Sequence, residues 1–247
     1  MTSMTETTPH STKKKVMVEL IKVGKSYPPD VEALNEISLS ISQGEMVFLT
    51  GRSGAGKTTL LRLLCRIERP DRGLVEIDGT DLGSLSPARL QQLRRRIGMA
   101  YQDFKLLKDS SVAENIALPM EILCRQRSFI RRRTKELLEA LGLGHKYNAR
   151  ARDLSRGEQQ RVSIARAVAN NPDLILADEP TGNLDVESTA RVMDLFHEHC
   201  RRGAAILIAT HDPKIYAGGN FRILHLANGE VIEQFSPASA ADEVKPS

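Results

Sequence analysis

Short apolar runs alternate along this chain with longer stretches in which apolar positions recur every three or four residues. The runs M-V-F-L-T (46–50), L-I-L-A (174–177) and A-I-L-I-A-T (205–210) show no polar alternation. Strands buried on both faces, in the middle of a parallel sheet, read this way. V-M-V-E-L-I-K-V (16–23), L-V-E-I (74–77) and F-R-I-L-H-L (221–226) are further expected strands. Helices are expected over 58–66, 87–95, 130–141, 158–169 and 186–200. The second opens with Ser-Pro, an N-cap followed by proline at the first helical position. Strands alternating with helices predict an α/β fold. From about residue 104 to 165 the pattern is mostly helical, which predicts a helical subdomain inserted in a domain spanning 16–235. Residues 1–15 and 236–247 are small and polar, and are expected to be disordered tails.

Composition narrows the classes. A chain of 247 residues, 40% hydrophobic and 27% charged, suits one domain with a subdomain. The net charge is +4 and the isoelectric point about 9.0, which permits an acidic partner, but Lys and Arg are scattered and no nucleic acid is expected. The three cysteines, Cys65, Cys124 and Cys200, lie far apart with no C-x-x-C, so neither a disulfide framework nor a cysteine metal site is expected, and a reducing compartment fits. No apolar run approaches the roughly 18 residues of a membrane span, and the first residues lack the apolar core of a signal peptide. A membrane role would come through a partner.

The chemistry begins at G-R-S-G-A-G-K-T, that is Gly51, Arg52, Ser53, Gly54, Ala55, Gly56, Lys57 and Thr58, with Thr59 behind it. It fits G-x-x-x-x-G-K-[S/T] between an expected strand and an expected helix, the context that confirms a phosphate-binding loop. Glycines let the backbone wrap a triphosphate, and the helix N-terminus adds positive charge. Lys57 can reach the β- and γ-phosphates, and the Thr58 hydroxyl can ligate Mg²⁺. L-I-L-A-D-E-P then ends a strand in two acids. Asp178 suits Mg²⁺ and Glu179 suits polarising the attacking water. Alone the pair reads equally well as a helix N-cap; beside the phosphate loop it reads as catalytic. His211 follows the strand 205–210, where it can hydrogen-bond the γ-phosphate, and Gln102 follows a short strand, where its amide can ligate Mg²⁺. Finally, Ser155 and Glu158 have the S-x-x-E spacing of a capping box, so a helix is expected to open at Arg156 with free N–H groups. Those groups serve either an anion or nothing but a well-capped surface helix.

Taken in order, Gly51–Thr58, Gln102, L-S-R-G-E-Q-Q, L-I-L-A-D-E, N-L-D (183–185) and His211 resemble the nucleotide-binding domain of ABC ATPases across about residues 16–235. The resemblance implies a P-loop NTPase core with a mainly parallel sheet, an N-terminal antiparallel β subdomain and an inserted α-helical subdomain. It implies Mg²⁺-dependent ATP hydrolysis in a head-to-tail homodimer. Each ATP would lie between one copy's phosphate loop and the other's signature helix, with Ser155, Arg156, Gly157 and Glu158 facing it. Tyr27 falls where the family stacks an aromatic on adenine, and Asp185 in a loop that crosses the dimer. Q-D-F after the strand and G-E-Q-Q are similar to the bacterial cell-division branch of the family. That implies an integral membrane subunit, docked near Phe104 to Leu118, and a peripheral position on the cytoplasmic face of the inner membrane. Branches that export lipoproteins or macrolides share E-P-T-G-N-L-D and are the alternative. Arg156, Tyr101 and Lys108 stand where the family usually has Gly, Phe and Pro. Only Arg156 touches the chemistry. As the first helical residue it needs no glycine-like backbone, so a working but altered phosphate sensor is expected.

Overall fold

The computed structural model describes residues 15–217 and 219–235, and the expected tails, apart from Lys15, lie outside them. β1 (Val16–Tyr27) and β2 (Val31–Ser42) pair antiparallel. β3 (Met46–Thr50) starts a second sheet and runs through the glycine-rich loop into α1 (Lys57–Leu64). β4 (Arg72–Ile77) and β5 (Thr80–Asp81) return to the first sheet, whose order is β2-β1-β4-β5. After α2 (Pro87–Arg94) and β6 (Ile97–Ala100) come α3 (Val112–Ile122), α4 (Arg127–Ala140) and α5 (Arg156–Val168). β7 (Leu174–Asp178), α6 (Val186–Arg201), β8 (Ala205–Ala209), β9 (Arg222–Ala227) and β10 (Glu230–Phe235) follow. The second sheet has the order β10-β9-β3-β8-β7-β6 and is parallel except for the β9–β10 hairpin.

β3, β7 and β8 are buried at every position, as their unbroken apolar runs predict. Two apolar clusters explain why. One joins the antiparallel sheet and α1 to one face of the parallel sheet, through residues such as Leu20, Ile41, Leu49 and Leu61. The other joins the opposite face to α3–α6, through Phe48, Ile116, Val162 and Phe196. Each fully buried Leu or Phe contributes about 1.5–3 kcal/mol of transfer free energy. The carboxyl ends of β3, β7 and β8 lie side by side as a result, and the chemistry-bearing loops follow them.

Three strands and a helix add to those expected. β2 carries a two-residue period in Ile37, Leu39 and Ile41. β5 and β10 are completed by pairing with neighbours rather than by an apolar run of their own. α3 contains Pro119, which cannot donate to the helix ladder; the Ser111–Glu114 capping box and buried Val112, Ile116 and Met120 hold the helix nonetheless. Boundaries also move. α4 starts at Arg127 rather than 130 and α1 ends at Leu64 rather than 66, while α5 opens at Arg156, where the capping box put it, two residues before its apolar pattern begins.

Candidate active site

The turn after β3 is shaped by two contacts that leave no room for a side chain. A Cβ on Gly51 would lie 2.3 Å from the Leu226 carbonyl oxygen, and one on Gly56 would lie 2.4 Å from that of Ala33. Both glycines have left-handed φ, 146° and 103°. α1 therefore starts directly at Lys57, with no acid in its first turn to occupy its N–H groups. Lys57 is 8% exposed, and its Nζ donates to the carbonyls of Gly51 (2.7 Å) and Arg52 (3.2 Å). The Thr58 hydroxyl donates to Asp178 Oδ2 at 2.8 Å, across 120 residues of sequence. Burial, and next the neighbouring Glu179, push the Asp178 carboxyl above its ordinary value, against the Thr58 hydrogen bond and Lys57.

Glu179 leaves the strand direction through a left-handed backbone, φ 49°. Its Oε1 lies 4.0 Å from Lys57 Nζ and accepts a 2.8 Å hydrogen bond from His211 Nδ1. With Nδ1–H committed to the carboxylate, Nε2 of this largely exposed imidazole is free to face a ligand. Tyr27, Arg52, Ser53, Gly54, Gly56, Lys57, Thr58, Thr59, Gln102, Asp178, Glu179 and His211 line one cleft of about 560 Å³, within the size range of small-molecule sites. Twelve of the expected site residues thus meet in one place. Gly51 lies behind the loop and supplies a carbonyl to Lys57, while Ala55 packs on the core beneath it.

Ser155, Arg156, Gly157, Glu158 and Asp185 do not line this cleft. Ser155 caps α5, accepting from the Glu158 N–H at 3.2 Å, and Glu158 Oε2 accepts from the Ser155 N–H at 2.8 Å. The Glu158 carboxylate also meets Lys146 at 3.2 Å, so it is committed to the helix start. Arg156 is the first residue of α5 and its guanidinium lies 6.0 Å from the Phe104 ring, turned along the helix side. A Cβ on Gly157 would sit 2.8 Å from the Asn183 carbonyl oxygen, so glycine is needed there for close packing. Asp185 caps α6 through the Ser188 N–H at 2.7 Å.

Two residues that sequence reasoning passed over belong to the site. Gln160 is 2% exposed; its Nε2 donates to the Glu179 carbonyl at 2.5 Å and its Oε1 accepts from Asn183 at 3.0 Å. A glutamine on the buried side of a helix was the available signal. Glu68 accepts from the Tyr27 hydroxyl, which also lies 3.4 Å from Thr59 Oγ1, and so fixes the ring at the cleft edge.

Residues 34–182 match the ABC transporter family. The chain belongs to the ABC transporter family. Its position among the ATP-binding cassettes agrees with the fold: a dimeric cassette, MJ0796, in a post-hydrolysis state bound to ADP and Pi, superposes with a TM-score of 0.83 at 35% identity, covering 89% of this chain and 98% of that one. Among curated relatives, the cell division ATP-binding protein FtsE of Bacillus subtilis is 41% identical over 220 residues, 89% of this chain and 96% of that protein. FtsE of Escherichia coli K12 is 44% identical over 215 residues, 87% and 97% of the two chains. This ABC protein is an ATPase that binds ATP, with the α/β cassette fold, an antiparallel β subdomain and added helices.

Proposed function

We propose that this ABC ATPase is the ATP-hydrolysing subunit of an FtsE–FtsX-type complex. It closes as an ATP-bound homodimer and passes that closure to an integral membrane subunit of FtsX type, at the cytoplasmic face of the inner membrane, to regulate cell-wall hydrolysis in division. The observation that carries the catalytic reading is the Glu179 carboxylate, held between His211 Nδ1 and Lys57 Nζ beside the Thr58–Asp178 pair. Glu179 takes a proton from the attacking water as the water oxygen bonds to the γ-phosphorus and the bond to the bridging oxygen of ADP breaks. His211 Nε2 holds the γ-phosphate. Lys57 moves from the loop carbonyls to the β- and γ-phosphates, and Tyr27 supports the adenine. Thr58, Asp178 and Gln102 offer a hydroxyl, a carboxylate and an amide oxygen, a hard donor set that fits Mg²⁺. The ion would offset charge on the phosphates. The raised Asp178 carboxyl supports this fit, because a cation there compensates the cost of its burial.

The α5 N-terminus supports the dimer. Ser155, Arg156 and Gly157 lie off the cleft of their own chain, free to meet the nucleotide of a second copy, and Asp185, which also lies off it, would contact that copy. FtsE-named relatives at 41–44% identity support the division role. Glu179→Gln tests the core of this reading. It should bind Mg-ATP, lose about 10²–10⁴-fold in turnover, and accumulate as an ATP-bound dimer in size-exclusion chromatography. Turnover above about a tenth of wild type would remove Glu179 from the role of base.

A further inference from the structure

One stretch of this chain is basic without an intervening acid. Residues 125–135, R-Q-R-S-F-I-R-R-R-T-K, hold six of the 35 Lys and Arg and none of the 31 Asp and Glu; without them the balance is 29 against 31 and the net charge −2 instead of +4. Arg125, Arg127, Arg131, Arg132 and Lys135 are exposed. Arg133 turns inward and donates to the Val168 and Ala169 carbonyls and to Asn171. At about 100° per residue, Arg127, Arg131, Arg132 and Lys135 share one face of α4.

That arrangement works against the helix. α4 has Gln126 as its N-cap with no side-chain cap bond, no acid in its first turn and no base in its last. Cations at the positive end of a helix dipole, and like charges four residues apart as in Arg127–Arg131 and Arg131–Lys135, both destabilise it. Two carboxylates offset part of this charge: Glu136 lies 3.6 Å from Arg132 and 3.8 Å from Arg133, and exposed Glu139 falls between Lys135 and Arg132 on the same helix face. A merely solvated helix face has no need of this pattern, whereas an anionic surface relieves both penalties.

The surroundings indicate which surface. The last turn of α3 lines a groove of about 580 Å³ through Leu118, Pro119 and Ile122, and Leu123 follows. Arg125 comes two residues later. Ile122 is 58% exposed, and the half-buried Phe129 ring sits between Arg125 and Arg132, each 5.9 Å from its centroid. Apolar groups among cations on a convex helix match headgroups over acyl chains. A convex face lacks the channel that follows a polynucleotide backbone. Arg94, Arg95, Lys105 and Arg166 carry the same charge into the groove.

We propose that the basic face of α4 rests on acidic phospholipid headgroups, beside the membrane subunit seated in the adjoining groove. The orientation rests on the proposed docking of the membrane subunit near Phe104 to Leu118, two of whose residues, Lys105 and Leu118, line that groove; the lipid contact itself is a property of the isolated chain. Flotation of the purified chain with vesicles of phosphatidylcholine, alone or with about one third phosphatidylglycerol, tests it. Binding is expected to the acidic vesicles only, and to weaken as salt rises from about 0.05 to about 0.5 M. A chain with Arg125→Gln, Arg127→Gln, Arg131→Gln and Arg132→Gln should bind at least about a hundredfold more weakly, since each cation near such a surface is worth about fivefold. The same four positions changed to Lys should keep most of the binding, and ATP turnover in solution should be unchanged in both variants. Equal binding to neutral and acidic vesicles, wild-type binding by the Gln variant, or tighter capture by duplex DNA at the same salt would each overturn the proposal. The Glu179→Gln experiment reads the catalytic assignment separately, without vesicles.

Discussion

Lys57 is a charged side chain that the phosphate loop buries. Its ammonium is satisfied by the Gly51 and Arg52 carbonyls and lies 4.0 Å from Glu179. Replacing those contacts by phosphate oxygens adds the attraction of opposite charges to hydrogen bonds that the ammonium already assists. Lys57→Ala should therefore weaken ATP binding beyond calorimetric detection while leaving the fold intact. A removed charge-assisted bond costs about 1.5–3 kcal/mol, and an unchanged affinity would displace Lys57 from the site. Arg156 is the harder residue. Its side chain lies toward Phe104, so the α5 N–H groups stay approachable and its charge adds to theirs. In the Glu179→Gln background, ATP-driven dimerisation should persist with Arg156 and lose salt sensitivity in Arg156→Gly. A chain that dimerises only after that substitution would make Arg156 a block instead.

At the scale of the element, α5 joins more than its sequence announces. Phe104 and Lys105 both hold left-handed φ, 62° and 48°, which costs about 1–2 kcal/mol for each residue with a Cβ. They are held there by α5: Arg166 donates to both carbonyls at 2.7 Å, and Ser163 Oγ donates to Phe104 at 3.1 Å. Arg166→Met should free this turn, two residues after Gln102, and raise the Mg²⁺ concentration needed for half-maximal turnover more than it lowers thermal stability. An unchanged Mg²⁺ dependence would detach the turn from Gln102. The phosphate loop, the acids after β7 and the α5 capping box were legible because each is local: spacing alone defines it. Gln160 and Glu68 were not, because their roles exist only once Glu179 and Tyr27 have been brought to them by the sheets. Pro119 hid α3 for the opposite reason, a local rule overruled by burial.

For the whole molecule, the three buried central strands could be read from their apolar runs, while the pairing of β2, β5 and β10 depended on partners elsewhere in the chain. The folded body also carries a buried titratable group. His199 is 2% exposed, its Nε2 has no hydrogen-bond partner among the described residues, and burial, with Arg133 and Arg202 nearby, lowers it to about 4. The fold keeps it neutral, while the unfolded chain takes up a proton below about pH 6.5. Its share of stability is thus complete above that pH and is lost as pH falls toward 4. Denaturant midpoints should drop by the equivalent of about 2 kcal/mol between about pH 6.5 and 5, and His199→Leu should flatten that fall. An equally steep fall in the variant would assign the effect to other groups.

The Gln160 bridge has one more consequence. In the proposed dimer, the helix whose first turn would face a neighbour's nucleotide grips, one turn later, the carbonyl of its own Glu179. Neither half of that dimer would then fire on its own information: each Glu179 would be aligned by a helix that answers to the other nucleotide. Turnover should therefore be cooperative in ATP, with a Hill coefficient above one and at most about two, the number of sites. Gln160→Leu should bring it to about one while each site still binds ATP. A cooperative Gln160→Leu enzyme would show that the two halves communicate by another route.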